Sequence, residues 1–341
     1  MAEKKFIVAG CGSMARRRIR HALATGGSVA VWDVRPDRMN EVKTLHPELT
    51  FLSSAAAMDD VGADAIFICV PPSEHEFYLD WAIRRGVSFM VEQPISDNPH
   101  RLDEILREAE RQGLITHVSN NQRHFEPILA LKRVIDSNEF GPVRAMLAER
   151  GEWLPDWHPY EPYQDYYPSS YDRGGGIDAI CDLEWVRYLF GDVIEARALA
   201  RRKSGLDITT DDCADLAMDM SGGPQVMLHC DMLQRTYAFR VKLVCAEGTI
   251  VYDGPDDFLK IYSKASDRWD QRHFAVGFSD HNAMQGKPYF AWVEPMYQAD
   301  SRSFLDRLDA TDSDTSSLRD GIENLRITYE LIRGSGSYRR G

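Results

Sequence analysis

Short apolar runs alternate with amphipathic stretches between residues 5 and 118. The apolar runs suit strands that are buried on both faces, and the stretches between them repeat apolar residues at helical spacing. The pattern predicts strands at 6–9, 29–32, near 51, 65–70, 88–91 and 115–118, and helices after the first strand and at 36–46, 73–85 and 102–112. Such alternation indicates a doubly wound parallel sheet, which binds ligands beyond the carboxyl ends of its strands.

The pattern changes after Arg123. A helix is predicted at 127–137, followed by a long aromatic and proline-rich segment at 153–171 that is typical of a functional loop. Another helix is predicted at 178–190. Strand-like alternation then marks 194–200, 213–220, 225–233, 239–245, 249–252 and 258–262, before helices at 296–308 and 318–332. We expect a Rossmann domain over residues 1–121 and an α/β domain with an open antiparallel sheet over 122–341.

One face of that second sheet is expected to favour self-association. Helices can cover one face, and we assign to the other an alternating apolar row of Val226, Leu228, Cys230 and Met232. The prediction is a homodimer or homotetramer assembled through the second domain.

The overall charge limits the classes of partner. A chain of 341 residues with a net charge of -13 does not favour binding to nucleic acid or to an anionic membrane surface. The six cysteines form no C-x-x-C pair, no apolar run is long enough to span a bilayer, and we expect no signal peptide. We therefore expect a cytoplasmic protein with reduced thiols.

The turn after the first strand carries a dinucleotide-binding signature. Gly10, Gly12 and Ala15 give G-x-G-x-x-A, in which the glycines allow a tight turn and close approach of a pyrophosphate, and Ser13 can cap the helix that follows. Asp33 ends the second strand, where a Rossmann unit places the acid that binds the adenosine ribose, so NAD is favoured.

Several arginines are compatible with NADP as the cofactor. Arg35 stands close to that acid and could pair with a 2′-phosphate, as could Arg16, Arg17 and Arg18 on the first helix. For the three helix arginines we favour a solvated face. Residues at the carboxyl ends of the strands complete the predicted cofactor-binding set, which is Gly10, Gly12, Ser13, Met14, Asp33, Arg35, Val70, Pro71, His75, Glu92, Gln93 and Asn121.

Six motifs, in this order, resemble the Gfo/Idh/MocA family of nicotinamide-dependent sugar and inositol oxidoreductases. They are GCGSMA at Gly10, CVPPSEH ending at His75, VEQP at Val91, NQRHFEP at Asn121, the GGG turn before DAICDLEWVRYLFG, and AEGTIVYD at Ala246. The resemblance implies an NAD(P)-binding first domain and a second domain that supplies the substrate pocket and the oligomer contact. The stretch LPDWHPYEPYQDYY also resembles a subgroup from bacterial surface-sugar pathways.

Two positions depart from the family pattern. Gln93 replaces the lysine of the E-K-P motif, and Cys181 stands where the helix after the GGG turn usually has a histidine. Hydride transfer from a carbinol requires a base for the hydroxyl proton, and an amide does not titrate. Asp178 can act as that base or cap its helix. His158 and tyrosines of the aromatic segment can replace the missing donor or simply pack. The candidate catalytic set is Gln93, Asp178, Cys181, His158 and Tyr163.

Two functional hypotheses follow. The first is an NAD-dependent oxidoreductase of a sugar, sugar acid or nucleotide-sugar, with an atypical acid–base relay and with net redox change or recycled NAD. The second is a binding protein that keeps the dinucleotide fold without dehydrogenase activity. His75 is either near the nicotinamide or structural, and Arg123 either binds an anion or holds a carboxylate such as Glu92. No metal-ligand spacing is present.

Overall fold

The computed structural model describes residues 3–158, 161–176, 182–254, 256–274, 289–309 and 316–340. The chain divides into two compact units. The first consists of Met1–Ser119 and Tyr297–Leu325, and the second of Asn120–Met296 and Arg326–Gly341.

Fifteen strands and eight α-helices are present in the described ranges. The strands are β1 (Lys5–Ala9), β2 (Ser28–Trp32), β3 (Thr50–Phe51), β4 (Ala65–Ile68), β5 (Ser88–Val91), β6 (Thr116–Val118), β7 (Val143–Gly151), β8 (Val193–Arg201), β9 (Cys213–Met220), β10 (Gln225–Asp231), β11 (Ala238–Cys245), β12 (Gly248–Asp253), β13 (Phe258–Ser263), β14 (Arg268–His273) and β15 (Ser337–Arg339). The helices are α1 (Ser13–Leu23), α2 (Pro36–Leu45), α3 (Pro72–Arg85), α4 (Leu102–Gln112), α5 (Glu126–Ser137), α6 (Glu184–Phe190), α7 (Tyr289–Leu305) and α8 (Ser316–Ile332).

The first unit is a Rossmann fold. Its six strands are all parallel and lie in the order β3-β2-β1-β4-β5-β6, which reverses direction between β1 and β4. The predicted elements of residues 5–118 are present within two residues of their expected bounds. Because the sheet is parallel, the turns after β1, β2, β4 and β5 meet at one edge, where such sheets bind ligands.

Helices cover both faces of this sheet. On one face Phe67 packs with Ile19 of α1 and with Phe304 of α7, whose ring centroid lies 5.6 Å from that of Phe67. On the other face Ile66 and Phe89 pack with α3, α4 and α8. The expected boundary between residues 121 and 122 therefore differs from the structure. Residues 297–325 belong to the first unit because their apolar side chains complete its core, and Asn120 and Asn121 belong to the second.

The second unit contains a nine-stranded sheet in the order β14-β13-β12-β11-β7-β10-β9-β8-β15. The expected antiparallel sheet is present, with one addition, because β7 and β10 pair in parallel at its centre. A parallel pair requires a long crossover, and the segment between β7 and β10 includes α6. The sheet is therefore mixed, and the strand at 143–151 was absent from the predicted set.

The two faces of this sheet differ from the prediction. Val226, Leu228, Cys230 and Met232 are buried in the unit's own core, so they are not the exposed row expected to favour self-association. The opposite face exposes Met227 and Leu147, which are direct neighbours on β10 and β7. Strand alternation separates two faces, and the more apolar one is covered by the chain itself because that burial stabilises the fold.

Helix α6 is shorter than the predicted helix at 178–190. It begins at Glu184, whose backbone N–H donates to Asp182 Oδ1 at 2.9 Å, whereas Asp182 and Leu183 are not helical. Asp178 and Cys181 lie outside the described residues. None of the helices in the described ranges combines the length and apolar character that a bilayer span requires.

Candidate active site

The turn between β1 and α1 requires glycine at its first position. Gly10 has a φ of +104°, and its N–H donates to the carbonyl of Trp32 at 2.7 Å. A Cβ at Gly10 would lie 2.5 Å from the carbonyl oxygen of Cys69 at the end of β4. Gly12 is the residue immediately before α1, and a Cβ there would make ordinary van der Waals contact with Arg38, 3.5 Å from Nη1. The turn is thus a backbone cradle that side chains would fill.

Asp33 stands beside this cradle. Its Oδ2 accepts the N–H of Cys11 at 2.6 Å, and its Oδ1 accepts the N–H of Arg35 at 2.8 Å. Each carboxylate oxygen has a further lone pair, so Asp33 can also accept the two hydroxyls of a ribose. Arg35 directs its guanidinium to Asp37, and this hydrogen bond lowers the pKa of Asp37 to about 2. The side chain of Arg35 thus pairs with Asp37, while the carboxylate of Asp33 accepts two backbone N–H groups.

The start of α1 differs from the expected cap. Ser13 is the first helical residue, and its Oγ accepts a hydrogen bond from Arg17 Nη1 at 3.2 Å. The sulfur of Met14 lies 3.6 Å from the same nitrogen. The expectation of a solvated arginine face is wrong for Arg17 and Arg18, which are both buried, while Arg16 pairs with Glu41. The helix start holds backbone N–H groups and a positive dipole end, as a phosphate site requires.

Arg18 is the centre of a buried polar network within the first unit. Its Nε donates to Glu92 at 2.7 Å, and Nη2 donates to Asp300 at 2.8 Å. The other N–H groups donate to Ser119, to Ser301 and to the carbonyl of Tyr297. All five guanidinium donors therefore have acceptors, which a side chain with no solvent exposure requires. Although burial lowers the pKa of Arg18, Glu92 and Asp300 together raise it above its usual value.

Residues after β4 and β5 lie at the same edge as the cradle. Val70 and Pro71 lead into α3, and Glu92 and Gln93 follow β5 directly. His75 is fully buried, with Nε2 at 2.8 Å from the carbonyl of Val70 and Nδ1 at 3.1 Å from that of Ile95. Burial lowers the pKa of His75. The structure thus places His75 between the turns after β4 and β5, where the neutral ring donates its one N–H to one of these two carbonyls.

The remaining predicted residues belong to the second unit. Asn121 starts a short 3-10 helix, and Arg123 pairs with the buried carboxylate of Glu184, whereas the sequence suggested Glu92. The Tyr163 hydroxyl accepts the N–H of Asp207 at 3.1 Å. The ring of His158 packs edge-on against Tyr166, with centroids 4.9 Å apart. Their geometry is that of packing and of loop hydrogen bonds.

Sequence reasoning missed a charged cluster at the end of β7. Arg150 pairs in register with Phe239 and Cys230, which are buried on the covered face of the sheet, and Glu152 follows on the same side. Burial raises the pKa of Glu152 to about 7, although Arg150 lowers it. Burial also raises the pKa of Asp182, against the lowering effect of Arg150. The sequence feature that could have revealed this cluster is the two-residue period of the strand. Apolar Met146 and Ala148 precede Arg150 at alternate positions, so all three are predicted to lie on one face.

No group of three or more His, Cys, Asp or Glu side chains that could hold a metal ion occurs in the part of the chain that the structure describes.

Two family models match the chain. Residues 4–120 match the oxidoreductase family with an NAD-binding Rossmann fold, GFO_IDH_MocA, and residues 128–251 match a GFO/IDH/MocA C-terminal domain. These two matches cover both the cradle with Asp33 and the strands β7 to β11.

Curated relatives resemble the chain over different lengths. The uncharacterized protein y4oX of Sinorhizobium fredii is 28% identical over 30% of this chain and 28% of its own length. Oxidoreductase P35 of Formosa agariphila is 28% identical over 40% of this chain and 44% of its own length. The chain therefore spans less than half of these two proteins. UDP-N-acetylglucosamine 3-dehydrogenase of Acidithiobacillus ferrooxidans is 24% identical over 76% of this chain and 77% of its own length.

Solved structures share the whole fold. An oxidoreductase from Agrobacterium radiobacter, in complex with NAD+, L-tartaric acid and magnesium, superimposes with a TM-score of 0.80 at 18% identity, covering 99% of this chain and 98% of the other. A levoglucosan dehydrogenase in complex with NADH gives a TM-score of 0.80 at 14% identity, covering 98% and 97%. At these identities the similarity establishes the fold, and the two matched domain models establish the membership: the chain belongs to the Gfo/Idh/MocA family of oxidoreductases, with an NAD-binding Rossmann domain.

Proposed function

We propose that the chain is an NAD-dependent oxidoreductase that moves a hydride between NAD and a carbinol carbon of a sugar, sugar acid or nucleotide-sugar. The observation that carries the proposal is the intact pairing of the Gly10 cradle with the Asp33 carboxylate at the switch point of the parallel sheet. This pairing supports binding of the dinucleotide, and turnover is the observation that separates the enzyme from a binding protein that keeps the dinucleotide fold.

The residues of the first unit fit the dinucleotide. The backbone around Gly10 and Gly12 and the N–H groups at the start of α1 would hold the pyrophosphate, and Asp33 would accept the ribose hydroxyls. When bound, NAD supplies the hydride acceptor. Glu92 lies at the same edge, where its Oε1 accepts the N–H of Arg18 Nε at 2.7 Å and its position is thereby fixed.

The substrate class is drawn from the relatives. UDP-N-acetylglucosamine 3-dehydrogenase, inositol 2-dehydrogenase and D-apiose dehydrogenase are all named for polyhydroxylated substrates. We place this chain in the same class and test it with a panel of UDP-N-acetylglucosamine, inositol, D-apiose and levoglucosan, each with NAD+. Turnover of any of them supports the oxidoreductase, and NADH binding without turnover on a wider sugar panel favours the binding protein.

Asp33→Asn is expected to weaken NADH binding at least tenfold and to reduce the preference for NADH over NADPH. An amide has one oxygen, so it loses an acceptor for the N–H of either Cys11 or Arg35, and it no longer repels a 2′-phosphate. The measurement is a titration with each nucleotide, followed by energy transfer from tryptophan to nicotinamide. Asp60→Asn removes the same charge from an exposed position and is the control. Equal affinity of wild type and Asp33→Asn for NADH contradicts the ribose role.

We also propose self-association through the exposed face of the second sheet, with a second copy of this chain as the partner. Leu147 and Met227 are 49% and 53% exposed and adjacent at its centre. The neighbouring register positions carry both signs of charge, including Lys242, Arg197 and Asp215, which suits a symmetric interface between identical faces.

Met227→Lys is therefore expected to reduce the mass in solution from that of a dimer or tetramer to that of a monomer. The lysine would place an unpaired charge at the centre of the buried contact. Size-exclusion chromatography with light scattering measures the mass, and circular dichroism verifies the fold. Phe77→Lys, at a similarly exposed apolar residue of the first unit, should leave the mass unchanged. A monomeric wild type contradicts the interface.

A further inference from the structure

A row of charged side chains crosses the exposed face of the second sheet. The residues that stand opposite one another in register on β9, β10, β7, β11 and β12 are Asp215, His229, Glu149, Arg240 and Asp253. Met227 and Leu147 precede His229 and Glu149 by two positions, so this row runs directly beside the exposed apolar pair. The row therefore belongs to the face through which we propose self-association.

Hydrogen bonds join this row into one network. Arg240 donates from Nη1 to Glu149 Oε2 at 3.0 Å and from Nε to Asp253 Oδ1 at 2.8 Å. Gln234, from the loop after β10, lies across the strand ends. Its Nε2 donates to Glu149 Oε1 at 2.8 Å and to Asp231 Oδ2 at 2.7 Å, which uses both hydrogens of the amide. Both oxygens of the Glu149 carboxylate thus have a donor.

His229 lies between two carboxylates of the network. Its Nδ1 is 2.7 Å from Asp215 Oδ1, and its Nε2 is 3.0 Å from Asp231 Oδ2. Because an ionised carboxylate only accepts, both contacts are hydrogen bonds only when both ring nitrogens carry a proton. The geometry is therefore that of an imidazolium ion. Although burial lowers the pKa of His229, its hydrogen bonds to Asp215 and Asp231 together raise it.

Loss of one proton from the ring breaks one of these two hydrogen bonds. The side chain of Asp231 is 3% exposed, whereas that of Asp215 is 57% exposed. A buried carboxylate is destabilised more by the loss of a donor than one that water can solvate. We therefore expect the neutral ring to keep its proton on Nε2, which faces Asp231, and to release Asp215 to solvent.

His229 is the group in this part of the described sheet whose charge changes near neutral pH. The other titratable or charged groups that face it from its own strand and its neighbours are Asp231, Asp215, Cys213, Glu149, Arg240 and Lys242. Burial raises the pKa of the Cys213 thiol, so that group stays neutral where the imidazole titrates.

We propose that His229 makes self-association pH-dependent, so that the second copy of this chain binds when the ring is protonated and is released when the ring is neutral. This inference rests on the proposed self-association through the exposed sheet face. Four carboxylates of the network face two cations, His229 and Arg240, when the ring is charged, and Arg240 alone when it is not. In a symmetric contact both copies become more negative together, and the two faces repel.

The titration of the ring can be measured without cofactor or substrate. In the whole chain carrying isotope-labelled histidine, the NMR signal that is missing from His229→Gln is that of His229. We expect its pKa to lie above the ordinary value of 6.5 and the neutral ring to carry its proton on Nε2. A His229 that titrates at or below 6.5 overturns the proposal.

The mass in solution tests the effect on assembly. Analytical ultracentrifugation of wild type should give a dissociation constant at least about tenfold larger at pH 8.5 than at pH 6. His229→Gln cannot become a cation, so it should associate as weakly at pH 6 as wild type does at pH 8.5. Asp215→Asn removes the carboxylate that deprotonation releases, and it should associate at pH 8.5 about as tightly as wild type at pH 6. The two variants thus shift the equilibrium in opposite directions.

The matched control is His46→Gln. His46 contacts one carboxylate, Glu48, at 3.1 Å on the first unit, and its substitution should leave the pH dependence of the mass unchanged. A wild type that is monomeric at every pH overturns both self-association and the role of His229. A wild type whose dissociation constant is equal at pH 6 and 8.5, or a His229→Gln that keeps the wild-type dependence, overturns only the role of His229. Because none of these measurements involves turnover, the oxidoreductase proposal is tested separately.

Discussion

Arg18→Met is expected to lower the free energy of unfolding by about 3–5 kcal/mol, the usual consequence of removing one partner from a buried ionic network. Arg18 is fully buried, and its two carboxylate partners have little access to water, with side-chain exposures of 14% for Glu92 and 0% for Asp300. Methionine fills much of the space and neutralises neither carboxylate. Urea denaturation of the whole chain measures the change.

The matched control is Arg20→Met. Arg20 lies on the same helix, is exposed, and donates to the carbonyl of Arg16, so its loss should change stability by less than about 0.5 kcal/mol. Equal losses in Arg18→Met and Arg20→Met would refute the network.

A second substitution, at Asp300, should restore part of the stability that Arg18→Met removes. Arg307 has only donors, so its 2.8 Å contact with His117 Nδ1 makes that nitrogen an acceptor and leaves the proton on Nε2, which donates to Asp300 Oδ1. Adding Asp300→Asn to Arg18→Met preserves that acceptor and removes one uncompensated charge. The double variant should therefore be more stable than Arg18→Met alone, and a double variant that is less stable would show that the charge of Asp300 is satisfied without Arg18.

Local sequence patterns were enough to predict the turn after β1 and the end of β2. Gly10 and Asp33 are separated by one helix and one strand, and their positions follow from a backbone turn and a strand end that short-range periodicity defines. The family resemblance was confirmed by the two domain models, although the NQRHFEP motif at Asn121 lies between the two matched ranges.

Long-range partners could not be predicted in this way. Arg18 meets Glu92 and Asp300 across 74 and 282 residues of sequence. Nothing in a run of three arginines distinguishes one that faces solvent from one that enters a core completed by the far end of the chain. For the same reason the expected domain boundary placed all of α7 and α8 in the second domain.

The alternation of apolar and polar residues along a strand predicts two faces, but it does not show which of them the chain covers. The row of Val226, Leu228, Cys230 and Met232 has a clear period of two, but the period does not say which face the chain's own helices cover. If this row is instead assigned to the covered face, Met227 and Leu147 are predicted to be exposed and Arg150 to lie on the covered face. A charged residue on an otherwise apolar face is the sequence feature that indicates the charged cluster at the end of β7.

Gly10→Ala is expected to weaken NADH binding by about a hundredfold. The added Cβ would lie 2.5 Å from the oxygen and 2.9 Å from the carbon of the Cys69 carbonyl, and both are backbone atoms of a central strand end that does not rotate away. The φ of +104° adds strain for any residue with a side chain. Relief requires the turn to move by about half an ångström, enough to misplace the N–H groups at the start of α1.

The titration of NADH against tryptophan fluorescence measures the affinity, and Gly62→Ala is the matched control. Gly62 also has a positive φ, +63°, yet a Cβ there meets nothing within 4 Å, and it precedes the amino end of β4, at the edge opposite the cradle. Gly62→Ala should cost roughly 1–2 kcal/mol of stability from its backbone conformation and leave NADH affinity unchanged. If both variants lose affinity equally, the effect is general destabilisation. If only Gly10→Ala loses it, the close approach of Gly10 to Cys69 fixes the geometry on which nucleotide binding depends.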